Sequence, residues 1–172
     1  MLSEELKQII KSYQDFPKEG INFKDIMPIL QDPKVYSKLI YAMSSSEIIK
    51  NCDAIISIDA RGFIFGSSIS LISEKPMLVA RKTGKLPGAL ISEKYILEYG
   101  ENELSIQKEA LNRYKKYAII DDLLATGGTV NCVGNLLKKQ NKFISGLLVV
   151  VELAELLGRQ KLDFAVESII TF

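Results

Sequence analysis

The chain has 172 residues, 47% of them hydrophobic and 25% charged, which suits one soluble globular domain with a proper core. Lysine and arginine number 22 against 21 acids, so no global field favours nucleic acid or an acidic membrane. Histidine is absent, which removes Ser-His-Asp and Cys-His catalysis and the usual transition-metal ligand sets, and leaves acid–base work to Asp, Glu, Lys or Tyr.

Leu2, Leu6, Ile9, Ile10 and Tyr13 recur at helical spacing and predict a short amphipathic helix over 2–13. Pro17 and Gly20 then break DFPKEGINFKDIMPIL into loop and turn. Phe16, Ile21, Phe23 and Ile26 are anchors under that long loop or the lining of a site, and pattern alone does not choose. Asp32-Pro33 is a helix start, with Val35, Leu39, Ile40 and Met43 as the buried stripe. The SSSE stretch at 44–47 marks a fraying end or a break before another turn.

In DAIISIDARGF the β-branched run 54–58 predicts a strand, and Phe63, Ile64, Ser67, Ser68 and Leu71 predict a helix. The junction Asp59-Ala60-Arg61-Gly62 is a candidate anion loop with Arg61 as a fixed cation, although an ordinary surface also carries arginine. PMLVARKTGKLPG is a third strand running into a glycine-rich loop. Its Arg81, Lys82 and Lys85 read on charge pattern alone as a solvated basic turn. Tyr95, Leu97 and Tyr99 alternate, as do Leu104 and Ile106, with Tyr99-Gly100-Glu101-Asn102 between them; this predicts a two-stranded hairpin at about 90–108. Glu98 falls on its polar face, and spacing does not select it over Glu93 or Glu103.

YAIIDDLLATGGT, residues 117–129, passes from an apolar strand through two carboxylates into a small-residue loop, and Val130, Val133 and Leu137 continue as a helix. Such a loop leaves backbone N–H groups unpaired at a helix N-terminus, which suits a phosphate dianion. Gly127 and Gly128 allow close approach or positive φ, and Thr126 and Thr129 add hydroxyl donors. Asp121 and Asp122 are placed to accept hydrogen bonds from a vicinal diol, so the stretch describes a ribose 5-phosphate. The plainer alternative is that an aspartate caps the helix and the glycines turn the chain. FISGLLVVV at 143–151 is a further strand, ELAELLGRQKL a short helix and AVESIITF a last strand; Glu152 suits a helix start. Cys52 and Cys132 lack a CxxC partner and read as reduced core thiols of a cytoplasmic protein. No apolar run reaches the ~18 residues of a membrane span, and no signal-peptide pattern is present.

The units at 55–62, 77–85 and 117–130 all place polar residues after a strand, as in an open parallel sheet that binds ligands at its carboxyl edge. Neither GxGxxG after a strand nor a GxxxxGK[ST] loop occurs. DDLLATGGT resembles the phosphoribosyl-pyrophosphate (PRPP) motif of type I phosphoribosyltransferases, in the form typical of adenine phosphoribosyltransferases. DFPKEGINFKDIMPIL, the D-A-R-G loop, RKTGKLPG and the YILEYGENELSIQKEAL hairpin resemble further segments of that family in the family's order, from Asp15 to about Leu162.

The resemblance implies an α/β protein of the type I phosphoribosyltransferase fold: an open, mostly parallel twisted sheet flanked by helices, with a flexible hood hairpin. It implies one domain over 1–172, with a base-covering segment at about 15–30. The implied reaction is adenine plus PRPP giving AMP and pyrophosphate, a purine-salvage step, with Mg²⁺ on the pyrophosphate and ribose hydroxyls and no metal ligand from the protein. Asp121 and Asp122 would hold the ribose hydroxyls, and Ala125, Thr126, Gly127, Gly128 and Thr129 the 5-phosphate. Asp59, Ala60, Arg61, Arg81, Lys82 and Lys85 would hold the pyrophosphate, and Asn22, Lys24 and Arg61 the base; family members often carry Arg at the position of Lys24. The Asp59–Ala60 peptide is expected to be cis. Glu98 falls on the proposed acid–base carboxylate and Tyr99 on the neighbouring ring of the hood. A homodimer is a family expectation, with no nucleic-acid or membrane partner. A transferase for another base and a non-enzymatic PRPP-binding regulator are the rivals; the intact hood and the lack of room for a second domain speak against the regulator.

Overall fold

Residues 1–97 and 100–172 are described by the structure, a computed structural model, in two compact units, residues 1–42 and 43–172. The first contains α1 (Leu2–Ile9), β1 (Lys11–Tyr13), β2 (Phe23–Asp25), α2 (Met27–Leu30) and most of α3 (Pro33–Ser44). The helix expected over 2–13 stops at Ile9, because Ile10 turns extended (φ −66, ψ 121) and Lys11–Tyr13 pair antiparallel with Phe23–Asp25. Within α1 only Leu6 is buried, so strand pairing outweighs a thin apolar stripe, and Tyr13 lies exposed in β1. Asp15, at positive φ, accepts from the Gly20 N–H at 2.7 Å and closes the connecting loop. Phe16 and Phe23 meet edge to face at 5.2 Å across its base, and Phe16–Pro17 is cis. Asp32 caps α3 by accepting from the Lys34 and Val35 N–H groups at 3.0 and 3.2 Å. Val35, Leu39, Ile40 and Met43 are buried along α3, as their spacing predicts.

The second unit opens with α4 (Glu47–Lys50), N-capped by Ser46, which resolves the SSSE stretch as a helix break. It continues as β3 (Ala54–Ile58), α5 (Gly62–Ser73), β4 (Met77–Lys82), β5 (Leu90–Leu97), β6 (Gly100–Gln107), α6 (Lys108–Asn112), β7 (Lys116–Leu124), α7 (Gly128–Lys139), β8 (Phe143–Glu152) and β9 (Val166–Thr171). The strands form one seven-stranded sheet in the order β5-β6-β4-β3-β7-β8-β9. β3 pairs parallel with β4 and β7, and β8 pairs parallel with β7 and β9; only the hairpin pairs antiparallel, β5 with β6 and β6 with β4. β3 is buried at every residue, the signature of a strand covered on both faces. Ala54, Ile56 and Ile58 join Val130, Val133, Leu136 and Leu137 of α7 in one core cluster. Ser57, of opposite parity, faces α5 and donates to the Gly62 carbonyl at 2.7 Å. Among the described residues no helix is long and apolar enough to cross a membrane.

Three further expectations are corrected. Leu97 pairs with Gly100 and Tyr95 with Asn102, so Gly100, Glu101 and Asn102 belong to β6 and not to the predicted turn; Glu98 and Tyr99 lie outside the described residues. ELAELLGRQKL is not one helix but two 3-10 turns, Ala154–Leu156 and Gly158–Lys161, separated at Leu157 by φ 53. Glu152 starts no helix and ends β8 instead.

The α5–sheet contact depends on a missing side chain. A Cβ on Gly66 would stand 2.2 Å from Ser57 Oγ and 2.7 Å from its Cβ. Gly66→Ala is therefore expected to lower unfolding stability by about 1–3 kcal/mol, the usual cost of overpacking. Urea denaturation measures it, and an unchanged midpoint would show that α5 can lift from β3 freely.

Candidate active site

The loops after β3, β4 and β7 meet at the carboxyl edge of the sheet. Asp59 leaves β3 with its N–H donating to the Ala80 carbonyl at 2.9 Å, and the Asp59–Ala60 peptide is cis. Arg81, near the end of β4, donates from Nε to Asp59 Oδ2 at 2.8 Å and spreads its guanidinium 5.7 Å from the centre of the Phe63 ring. Arg61, at the N-cap of α5, brings Nε to 2.9 Å from Asp122 Oδ2. That contact is a charge pair without good hydrogen-bond alignment, since Asp122 Oδ2 is buried without a hydrogen-bond partner. Gly62 sits so close to β7 that a Cβ there would be 3.0 Å from Asp121 Oδ1. Lys82 and Lys85 are exposed, and the Lys85 N–H donates to the Lys82 carbonyl at 3.2 Å. Asp59, Ala60, Arg61 and Arg81 are thus linked to the two aspartates of β7, with Lys82 and Lys85 on the same basic loop as Arg81.

Asp121 and Asp122 are neighbours on β7, and the Asp122 N–H donates to Asp121 Oδ1 at 2.9 Å. Burial, then the neighbouring Asp122 charge, pushes the Asp121 carboxyl well above the ordinary range. Neither aspartate caps α7. The N-cap is Gly127, at φ 79, and no side chain caps the helix. The first-turn N–H groups of α7 are therefore open to a ligand at the positive end of the helix dipole. A small pocket is lined by Asp121 and residues 123–130, which include Ala125, Thr126, Gly127, Gly128 and Thr129.

Sequence reasoning missed what lies beneath this loop. Gly158, the first residue of the second 3-10 turn, touches Ala125 and Gly127 through backbone atoms. Arg159 beside it makes a two-pronged pair with Glu152. Local pattern carries no sign of either contact: Ala125 and Gly127 are remote from Gly158 in the chain, and Glu152 and Arg159 flank a turn that reads as helix; the glycine inside that apparent helix is the one signal that was present.

Of the hairpin carboxylates, Glu93 is paired with Lys139 at 2.7 Å and Glu103 accepts from Thr83 Oγ1; Glu98 and Tyr99 are outside the described residues. Asn22 and Lys24 belong to the first unit. There Asn22 Oδ1 is buried without a hydrogen-bond partner, and Lys24 Nζ donates to Ser12 Oγ at 2.8 Å. Cys52 and Cys132 are free and buried, and burial pushes both thiols up, Cys132 to about 11, which makes them poor nucleophiles.

The crowding of Asp121 and Asp122 has a cost in the unliganded protein. Because the native carboxyl of Asp121 is raised, its cost to stability appears as pH climbs from about 3.9, the unfolded value, and is complete above the native value. Asp121→Asn keeps an acceptor for the Asp122 N–H and removes the charge. We expect it to raise the melting midpoint of the unliganded protein at pH 7, the gain fading toward pH 4. Melting curves at several pH values check this, and a gain that is independent of pH would locate the effect elsewhere.

Residues 28–169 match the family model of the phosphoribosyl transferase domain. The chain is 63% identical over 171 residues to the adenine phosphoribosyltransferase of Prochlorococcus marinus strain MIT 9515, covering 99% of this chain and 100% of that protein. The crystal structure of adenine phosphoribosyltransferase from Thermoanaerobacter pseudethanolicus superposes with a TM-score of 0.92 at 38% identity, covering 100% of both chains. The Saccharomyces cerevisiae enzyme, solved with an imino-altritol bisphosphate and adenine, superposes at 0.85 with 33% identity over 97% of each chain. The fold is therefore that of the type I phosphoribosyltransferases, and the chain belongs to the phosphoribosyl transferase family, among its adenine phosphoribosyltransferases.

Proposed function

We propose that the chain transfers the phosphoribosyl group of PRPP to adenine, giving AMP and pyrophosphate, with residues 1–172 acting as one phosphoribosyltransferase domain. The observation that carries the reading is the uncapped N-terminus of α7, with Gly127 at φ 79, directly after the paired carboxylates of β7. Similarity to enzymes that bear this activity by name supports the choice of base.

In this reading the backbone of 125–129 and the hydroxyls of Thr126 and Thr129 cradle the 5-phosphate, and Asp121 and Asp122 accept from the ribose hydroxyls. Ala60, Arg61, Arg81, Lys82 and Lys85 meet the departing pyrophosphate, with Asp59 orienting Arg81. A single well-aimed donor of this kind is worth about 2.7–4 kcal/mol in the transition state. Backbone groups at Asn22 and the side chains of Lys24 and Arg61 are read as the contacts to the adenine. The donor set suits Mg²⁺ that arrives on the substrate: the adjacent carboxylates Asp121 and Asp122 are read as accepting from ribose hydroxyls, Asp59 is engaged by Arg81, and Arg61, Arg81, Lys82 and Lys85 are cations. Bound there, Mg²⁺ supplies charge neutralisation for the leaving pyrophosphate. Glu98, which falls on the acid–base carboxylate implied by the family resemblance, accepts the proton lost by the base; Glu93 and Glu103 are engaged with Lys139 and Thr83. Tyr99, the next residue in the chain, is read as the neighbouring ring. Leu71 and Ile72 on α5, exposed by 79% and 41%, offer apolar surface to a second copy in a homodimer. Free, buried cysteines suit the reducing cytoplasm.

Product analysis with PRPP and Mg²⁺, offering adenine, hypoxanthine, guanine and orotate separately, is expected to give AMP from adenine alone. Turnover of another base overturns the assignment of adenine, and binding of PRPP without turnover points to a regulator. Glu98→Gln is expected to lower kcat by about 10²–10⁴, the usual worth of general acid–base help. Single-turnover rates isolate the chemical step, and an unchanged rate removes Glu98 from it.

A further inference from the structure

We infer that the turn at residues 157–159 is a positioning device for the phosphate loop: Gly158, anchored by the Arg159–Glu152 clasp, fixes the backbone of residues 125–128 in its anion-binding shape. The inference rests on the assignment of that loop to the 5-phosphate of PRPP. It names residues that would never touch the substrate.

The contact between the two segments is backbone against backbone. A Cβ on Gly158 would stand 2.1 Å from the Ala125 carbonyl oxygen and 3.0 Å from the Gly127 nitrogen. Reciprocally, a Cβ on Gly127 would stand 2.6 Å from the Gly158 carbonyl oxygen. No side-chain rotation can relieve either clash, so any residue larger than glycine at 158 must displace the loop or the turn. The turn is the harder of the two to move. Arg159 donates from Nε to Glu152 Oε1 at 2.9 Å, from Nη2 to Glu152 Oε2, and from Nη1 to the Val166 carbonyl at 2.6 Å. Ser168 Oγ adds a bond to Glu152 Oε2 at 2.9 Å. Glu152 is only 6% exposed, and its pairing with Arg159 holds its carboxyl below the ordinary range.

The anchor also sits where the loop begins. Glu152 lies in register with Leu124, the last residue of β7, and the Leu153 N–H donates to the Leu124 carbonyl at 2.9 Å. The loop is therefore fixed at its root by β8 and at its crest by Gly158. Both supports involve Glu152, the first through its backbone register and the second through its carboxylate. Donors that must meet a phosphate lose about 10²-fold when misplaced by an ångström, so the support sets affinity as well as shape.

The test compares Gly158→Ala, Arg159→Met and Gly127→Ala with the parent chain, all in the presence of Mg²⁺. Calorimetry measures ribose 5-phosphate and pyrophosphate binding separately, steady-state kinetics gives KM for PRPP and adenine, and melting curves report the fold. Gly158→Ala is expected to weaken ribose 5-phosphate binding and raise KM for PRPP by about 10- to 100-fold. Pyrophosphate affinity and KM for adenine should stay within about twofold, far below that loss. Arg159→Met, which adds no clash, should move the same two quantities in the same direction by a smaller factor, and it decides the matter if Gly158→Ala does not fold. Equal weakening of both anions, or a lowered melting midpoint with unchanged ribose 5-phosphate binding, overturns the inference. Gly127→Ala separates the two levels of the claim. If it weakens ribose 5-phosphate binding while the 158 and 159 variants do not, the inference falls and the loop assignment stands. If none of the three affects ribose 5-phosphate binding, the loop assignment falls and the inference with it.

Discussion

Two carboxylate–guanidinium pairs hold the carboxyl edge of this sheet together, and the rest of the site depends on them. Arg81 reaches from β4 to Asp59 after β3, and Arg61 reaches from the α5 N-cap to Asp122 on β7. Each pair joins loops from adjacent strands, so three connections that are remote in sequence become one surface. Asp122 is 5% exposed, and a lone charge at that depth would be expensive to keep. Arg61 offsets that cost while remaining 40% exposed itself, so the cation stays open to solvent while the anion is nearly enclosed. Cations that a ligand needs are thereby placed by anions that the fold has already buried.

The parallel sheet supplies the frame on which these pairs are mounted. β3 and β7 are central, flanked by β4 and β8, and most of their buried residues are aliphatic and close-packed. A rigid centre lets the loops end at defined heights, which a hydrogen-bonded site requires. Glycine does the fine adjustment where helix and strand approach, at Gly66 against Ser57 and at Gly62 against Asp121. The hairpin is different in kind. It joins the sheet through β6 alone, at Arg81↔Ser105 and Lys82↔Leu104, and otherwise pairs with itself.

Much of this was legible in the residues. The apolar runs of β3, β4, β7 and β8 are bounded by polar loops, and the small-residue stretch after Asp122 announces a turn into a helix. What was not legible depended on pairings that local periodicity does not show. Lys11–Tyr13 read as the end of a helix because their strand partner, Phe23–Asp25, is invisible to local periodicity. Gly100 to Asn102 carry turn chemistry, yet pairing with β5 draws them into a strand. Leu153–Leu162 has helical composition, but Gly158 is pressed against another backbone and Leu157 takes positive φ, so the helix breaks into two turns. The pairing of Glu152 with Arg159 likewise has no local signature, whereas Asp32 capping α3 was plain from the Asp-Pro pair.

The basic loop between β4 and β5 begins and ends on the same strand: Lys82 pairs with Leu104, and Leu90 pairs with Gln107, both on β6. The ends of the intervening segment, residues 83–89, are thus tied together before any anion arrives. The entropy of closing that loop is spent during folding and is not charged again to binding. An incoming polyanion has only the side chains and a few backbone torsions of this segment to order, and on departure it sets free the same small number. Capture and release of the leaving group can therefore be local events in this loop, without separation of the strands that carry it.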